Sequence, residues 1–207
     1  MQIAIVVYPR FTALDVLGPY EVLGRLPDTE VVFVAEHAGP VGNDLGSLTI
    51  DVGATISDVP TPDLVLVGGG PGQAEQMAND TLHSWLRTVD LTSTWTASVC
   101  TGSLLLAAAG LLKGRRATTH WAALDNLAGF GAVPTTERVV IDGHYATGAG
   151  VSAGIDMALT LAGLIAGDEV AQTIQLLVEY APQPPYDAGS PATAPATVVE
   201  ELLRAHG

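Results

Sequence analysis

Basic residues are scarce. Lys and Arg together number 8 against 22 Asp and Glu, a formal net charge of −14 over 207 residues. Such a chain lacks the Lys/Arg stripe that a phosphate backbone requires, and nucleic acid is not expected among its partners. Cysteine is nearly absent too. The single Cys100 excludes an internal disulfide framework and a cysteine-rich metal site, leaving that residue as either a core filler or a nucleophile. Long apolar runs are also missing: Gly, Pro or a charge breaks each one well short of the roughly 18 residues that cross a membrane. The opening Met1-Gln2-Ile3-Ala4-Ile5-Val6-Val7 has no basic segment ahead of its apolar residues, so it reads as a first strand rather than a signal peptide, and a cytoplasmic location is expected. Aromatic residues make up 5% of the chain, and Trp85, Trp95 and Trp121 stand too far from basic residues to form a stacking platform for bases.

What remains is apolar and strongly patterned. With 48% hydrophobic residues the chain can bury a large core, and its length fits a single domain over 1–207. Short β-branched runs alternate with segments of helical length, the signature of an α/β fold with a parallel sheet. Strands are expected at Gln2–Val7, Glu30–Ala35, Ser47–Val52, Leu64–Val67, Thr94–Val99, Arg116–Thr118, Arg138–Ile141 and His144–Thr147. Helices are expected at Asp15–Leu26, Gln73–Ala78, Thr81–Asp90, Thr101–Leu112, Trp121–Leu127, Ser152–Ile165 and Glu169–Tyr180. A proline-rich segment, 181–196, separates these from a last amphipathic helix over 197–205.

Chemistry-bearing residues cluster at the ends of expected strands. Cys100 follows Thr94–Val99 and precedes Thr101 and Gly102, a strand-turn-helix arrangement in which the helix N-terminus is expected to lower the thiol pKa; the plain alternative is a buried structural cysteine. Gly68-Gly69-Gly70 follows Leu64–Val67 and either directs backbone N–H groups into the crevice as an oxyanion hole or simply forms a tight turn. Asp15 reaches the same sheet edge, as a helix N-cap or as an acid able to exchange a proton with a thiol. His120 is a possible base for the cysteine or a helix-start residue, and the remaining histidines show no ligand spacing, so no metal is expected. Gly148-Ala149-Gly150-Val151-Ser152-Ala153-Gly154 is glycine-rich but lacks the downstream acid of a dinucleotide site. It reads as close packing of a helix start beneath the Cys100 turn. Phe11, Pro71, Trp121 and Tyr186 are candidate pocket walls.

Ser98-Val99-Cys100-Thr101-Gly102-Ser103, Gly114-Arg115-Arg116-Ala117-Thr118-Thr119-His120-Trp121 and Thr147-Gly148-Ala149-Gly150-Val151-Ser152-Ala153-Gly154-Ile155-Asp156 closely resemble the ThiJ/PfpI superfamily from Met1 to about Tyr180. Within it, Leu14-Asp15-Val16-Leu17-Gly18-Pro19 together with Tyr180-Ala181-Pro182-Gln183-Pro184-Pro185-Tyr186-Asp187 looks most like the isonitrile hydratases, with Ala181 standing where an acid is expected. The resemblance implies a flavodoxin-like, doubly wound, mainly parallel sheet sandwiched by helices, a homodimer, and a cofactor-free hydro-lyase acting on a small-molecule isonitrile. It assigns Cys100 as nucleophile through a thioimidate, Asp15 as its acid, Thr101 as the neighbouring hydroxyl, and Gly69 and Gly70 as backbone donors. Members resembling peptidases carry His directly after the cysteine. Thr101 stands there instead, which counts against a protease. Two other readings share these motifs: a non-catalytic sensing domain like the N-terminal half of AraC-type regulators, and another cysteine chemistry such as a glyoxalase-like hydration. The former would need a basic helix-turn-helix that is not found before Gly207.

Overall fold

The computed structural model describes residues 1–206. In chain order the first half runs β1 (Gln2–Val6), α1 (Ala13–Leu23), β2 (Glu30–Ala35), β3 (Gly39–Gly42), β4 (Thr49–Val52), β5 (Ala54–Thr55), β6 (Leu64–Val67), α2 (Gln73–Gln76), α3 (Asp80–Asp90) and β7 (Trp95–Val99). The second half runs α4 (Gly102–Ala108), β8 (Arg116–Ala117), α5 (Leu124–Gly129), β9 (Val133–Pro134), β10 (Val139–Asp142), β11 (Tyr145–Gly148), α6 (Ala153–Ala166), α7 (Asp168–Leu177) and α8 (Ala196–His206).

Seven strands form the central sheet in the order β10-β11-β7-β6-β1-β2-β5, and every neighbouring pair is parallel except the β10–β11 hairpin. The composition of the central strands requires this burial. Leu64-Val65-Leu66-Val67 has no polar face to offer water, and all four residues are fully buried. Helix α6 packs against both α1 and α7, while α4 packs against α2, α3 and α5, so the expected helix–sheet–helix sandwich is what forms. From β1 the chain moves outward through β2 to β5, then returns to β6 on the other side. The strand order therefore reverses between β1 and β6, which places a crevice at their carboxyl ends.

The structure departs from the sequence expectations where local signals conflict. Helix α1 begins two residues before Asp15, with Thr12 as its N-cap, so Asp15 is not a cap. Helix α4 stops at Ala108 rather than Leu112, ahead of Gly110 at φ +86°. Helix α2 spans four residues and α7 ends at Leu177. The segment Trp121–Leu127 divides into a 3-10 turn at Trp121–Ala123 and α5. The strand expected at Ser47–Val52 is β4, whose antiparallel partner β3 has the sequence Gly-Pro-Val-Gly. The proline-rich 181–196 segment is irregular and largely exposed, and α8 follows it. No helix among the described residues is long and apolar enough to cross a membrane.

Candidate active site

Three connections leave the sheet beside the crevice: residues 7–12 after β1, 68–72 after β6 and 100–101 after β7. They converge on Cys100. Its backbone lies in the left-handed region at φ 57°, a conformation that costs a non-glycine residue free energy and must be held by its surroundings. The Cys100 N–H donates to the Gly148 and Ala149 carbonyls at 3.1 and 2.9 Å. Its carbonyl accepts from Thr119 Oγ1 at 2.8 Å and from Ser103 Oγ at 3.1 Å. Gly102 is needed to close the turn, because a Cβ there would lie 2.1 Å from the Val67 carbonyl oxygen. The Gly148–Gly154 segment thus does pack beneath the elbow: a Cβ on Gly154 would come within 3.1 Å of Val99 Cγ2 and Pro19 Cγ.

Asp15 meets the cysteine from the first turn of α1. Its side chain is fully buried, and Oδ2 accepts the Gly69 N–H at 2.8 Å. Oδ1 has no hydrogen-bond partner among the described residues, and the Cys100 thiol lies close enough to the carboxyl that each shifts the other's ionisation. Burial is the main reason that the Asp15 pKa rises from 3.8 to about 7; the Gly69 N–H and the thiol work against that rise, and the Asp44 charge adds to it. The thiol moves the other way from the expectation set by its position at a helix start. Burial first, and the Asp15 charge second, push it from 9.0 up to about 12, against smaller stabilisation of the thiolate by the Val151 and Thr101 N–H groups. The dipole argument fails here because α4 is only seven residues long, while desolvation and a neighbouring anion act on the sulfur directly.

The glycine loop is a binding surface for the protein's own side chains. Gly69 N–H holds Asp15, and Gly70 N–H donates to Thr101 Oγ1 at 3.1 Å. Gly70 has φ +130°, and a Cβ on it would lie 2.5 Å from the Thr12 nitrogen, so only glycine fits. Three of the expected residues, Asp15, Cys100 and Thr101, are thereby gathered around Gly69 and Gly70. His120 lies to one side: its ring packs on Gly150, and Nδ1 accepts the Ala122 N–H at 3.3 Å, capping the Trp121–Ala123 turn. Beside it opens a cavity of about 680 Å³ with Trp121, Leu124, Val151 and Pro191 among its walls. Of the other candidate wall residues, Phe11 is fully buried in the core and Tyr186 is 80% exposed. Asp187 and Ala181 are exposed in the proline-rich segment. Among the described residues no group of three or more His, Cys, Asp or Glu side chains is placed to hold a metal ion.

Two contributors escape the sequence reading. Val151, at φ 33°, has its N–H close enough to the Cys100 sulfur to favour the thiolate; the only signal was its place between Gly150 and Ser152. Tyr8 sends its hydroxyl to the Gly68 carbonyl at 2.8 Å, in a buried contact across 60 residues of sequence.

Comparison with known proteins adds a second line of evidence. The DJ-1/PfpI family model matches residues 1–163. An isonitrile hydratase from Pseudomonas putida is 46% identical over 204 residues, covering 99% of this chain and 89% of that protein. The transcriptional regulator CdhR of Pseudomonas aeruginosa is 33% identical over 140 residues, which is 67% of this chain and 41% of the regulator. A crystal structure of a ThiJ/PfpI family protein from Pseudomonas syringae superposes with a TM-score of 0.96 at 39% identity, over 99% of this chain and 85% of that one.

Proposed function

The chain belongs to the DJ-1/PfpI family, and from that premise we propose that it is an isonitrile hydratase, adding water to R–N≡C to give an N-substituted formamide. The observation that carries this reading is the burial of Asp15 and Cys100 as neighbouring groups that shift each other's ionisation, with the Gly69 N–H holding Asp15 Oδ2. Two neighbouring acids buried without water do not ionise together, so above about pH 7 the pair carries one proton and one negative charge, the proton resting mainly on sulfur and exchanging onto Asp15. With the proton on Asp15, the pair presents a thiolate nucleophile and an adjacent acid.

The thiolate adds to the terminal carbon of the isonitrile while Asp15 gives that carbon its proton, leaving R–N=CH–S–Cys100 and an Asp15 carboxylate. Water then attacks the same carbon. The carboxylate takes one of its protons and passes it to nitrogen, giving R–NH–CH(OH)–S–Cys100. Breaking the C–S bond returns the electron pair to sulfur, the hydroxyl proton goes to Asp15, and the formamide leaves with the pair in its starting state. A raised Asp15 pKa suits this cycle, because the group must release and regain a proton near neutral pH. Gly69 orients Asp15, and Gly70 orients the Thr101 hydroxyl beside the reacting carbon. No step requires a cofactor. We read the protein as a soluble homodimer in the cytoplasm, without nucleic acid or membrane partners.

A sensing role draws on the likeness to CdhR, but the match reaches only 41% of that regulator. Formamide production from cyclohexyl isonitrile by wild type and Cys100→Ala separates the two. Turnover that disappears in the variant is the expected result, and no turnover by wild type under any condition in which it is folded sinks the hydratase reading.

A further inference from the structure

The hydrogen bond from Tyr8 lands on a particular peptide. Its Oη donates to the carbonyl of Gly68 at 2.8 Å, and the N–H on the other side of that same peptide unit, that of Gly69, donates to Asp15 Oδ2 at 2.8 Å. Tyr8 is 4% exposed, so the bond is shielded from water. Few other contacts fix this orientation: Gly68, Gly69 and Gly70 are conformationally free and have no side chains to anchor them, and the Thr12 N–H, at 2.9 Å, holds only the neighbouring Gly69 carbonyl. A donor on a peptide carbonyl polarises the unit and makes its N–H a stronger donor, an effect of some 10–30% per bond in a chain.

We propose that Tyr8 is a positioning residue that acts through the 68–69 peptide to orient the Asp15 carboxyl beside Cys100. The role is distinct from packing, since the hydroxyl alone makes the contact while the ring fills core space. It rests on the Asp15–Cys100 pair described above but not on the identity of the substrate. The groups facing Asp15 are Cys100 from the turn after β7, Tyr8 from the connection after β1, and Asp44 from the loop after β3, where Thr12 Oγ1 donates to it at 2.7 Å. Asp15 and Cys100 both push the Tyr8 hydroxyl pKa upward, burial doing most of it, so Tyr8 stays a neutral donor throughout the range in which the pair titrates.

The test is Tyr8→Phe, which keeps the ring and removes the donor. The single cysteine makes alkylation by iodoacetamide, followed by intact mass, a report on Cys100 alone. In wild type the rate should rise as the pair loses its first proton near pH 7. Without the Tyr8 hydroxyl the Gly69 N–H is a weaker donor to the carboxylate, the ionised pair is less stable, and this limb moves to higher pH by about half a unit. Tyr8→Leu, which removes ring and hydroxyl together, should lower the melting temperature more but move the limb no further. An unmoved or downward-moved limb in a folded Tyr8→Phe protein overturns the proposal. Because alkylation needs no isonitrile turnover, a shifted limb without hydratase activity would overturn the hydratase reading and leave the role of Tyr8 standing.

Discussion

Replacing Asp15 with Asn should make the protein more stable at neutral pH while removing its function. Asp15 is ionised in the unfolded chain above pH about 4, but burial in the fold raises its pKa from 3.8 to about 7. A carboxyl with a raised folded-state pKa contributes stability that is fully present below its unfolded value and is lost as pH rises through the folded one. At about 1.36 kcal/mol per unit, the loss in wild type reaches about 4 kcal/mol by pH 8. Asn retains the shape, and its carbonyl oxygen can still accept the Gly69 N–H, so the fold keeps the bond without the buried charge. Urea unfolding followed by tryptophan fluorescence, at intervals from pH 4 to pH 8.5, measures the difference. Asp15→Asn should exceed wild type by up to about 4 kcal/mol at pH 8, with the gap closing toward pH 4. A variant less stable than wild type at pH 8, or a gap that widens as pH falls, would refute the argument that this acid is held in the fold against its solvation preference.

The same substitution has a chemical signature at the sulfur. Wild-type Cys100 should alkylate in two steps, one near pH 7 from the shared-proton pair and one toward pH 12 from the second ionisation; Asp15→Asn should abolish the first and bring the second down by about one to two units, since the Asp15 charge ranks after burial among the causes that raise the thiol. A limb near pH 7 that survives in Asp15→Asn would show that another group controls the thiol. Gly102→Ala drives a Cβ to within 2.1 Å of the Val67 carbonyl and should cost about 3 kcal/mol or more, visible as a lowered urea midpoint. A loss under about 1 kcal/mol would mean that the elbow relaxes easily.

The sheet was legible because its strands announce themselves. Leu64–Val67 and Gln2–Val6 are too apolar to lie anywhere but the middle, and β6 ends where the Gly68-Gly69-Gly70 turn begins. β3 was hidden by its composition, since Gly39-Pro40-Val41-Gly42 combines the two residues least favoured in strands and pairs only because β4 returns to it. The extra turn expected for α4 rested on Leu111 and Leu112, which continue the apolar pattern but lie beyond Gly110 in a conformation no helix adopts. The site shows the same division. Asp15, Cys100 and Thr101 could be placed at one edge from topology, because loops after parallel strands share a side. The acidity of Cys100 could not, since burial and the Asp15 charge, which raise it, come from α1 and the surrounding core rather than from the cysteine's own helix. Tyr8 went unseen for a related reason: its partner is 60 residues away, and nothing in Val7-Tyr8-Pro9 distinguishes a positioning hydroxyl from an aromatic at a strand end.

The central claim is that Cys100 attacks the isonitrile carbon, and the most direct measurement is intact protein mass after rapid mixing with cyclohexyl isonitrile and an acid quench at times shorter than one turnover. The account predicts a transient increase equal to the mass of the isonitrile, located on the Cys100 peptide, decaying as formamide appears and absent in Cys100→Ala. Formamide formed without such an adduct, or by Cys100→Ala at the wild-type rate, would contradict it.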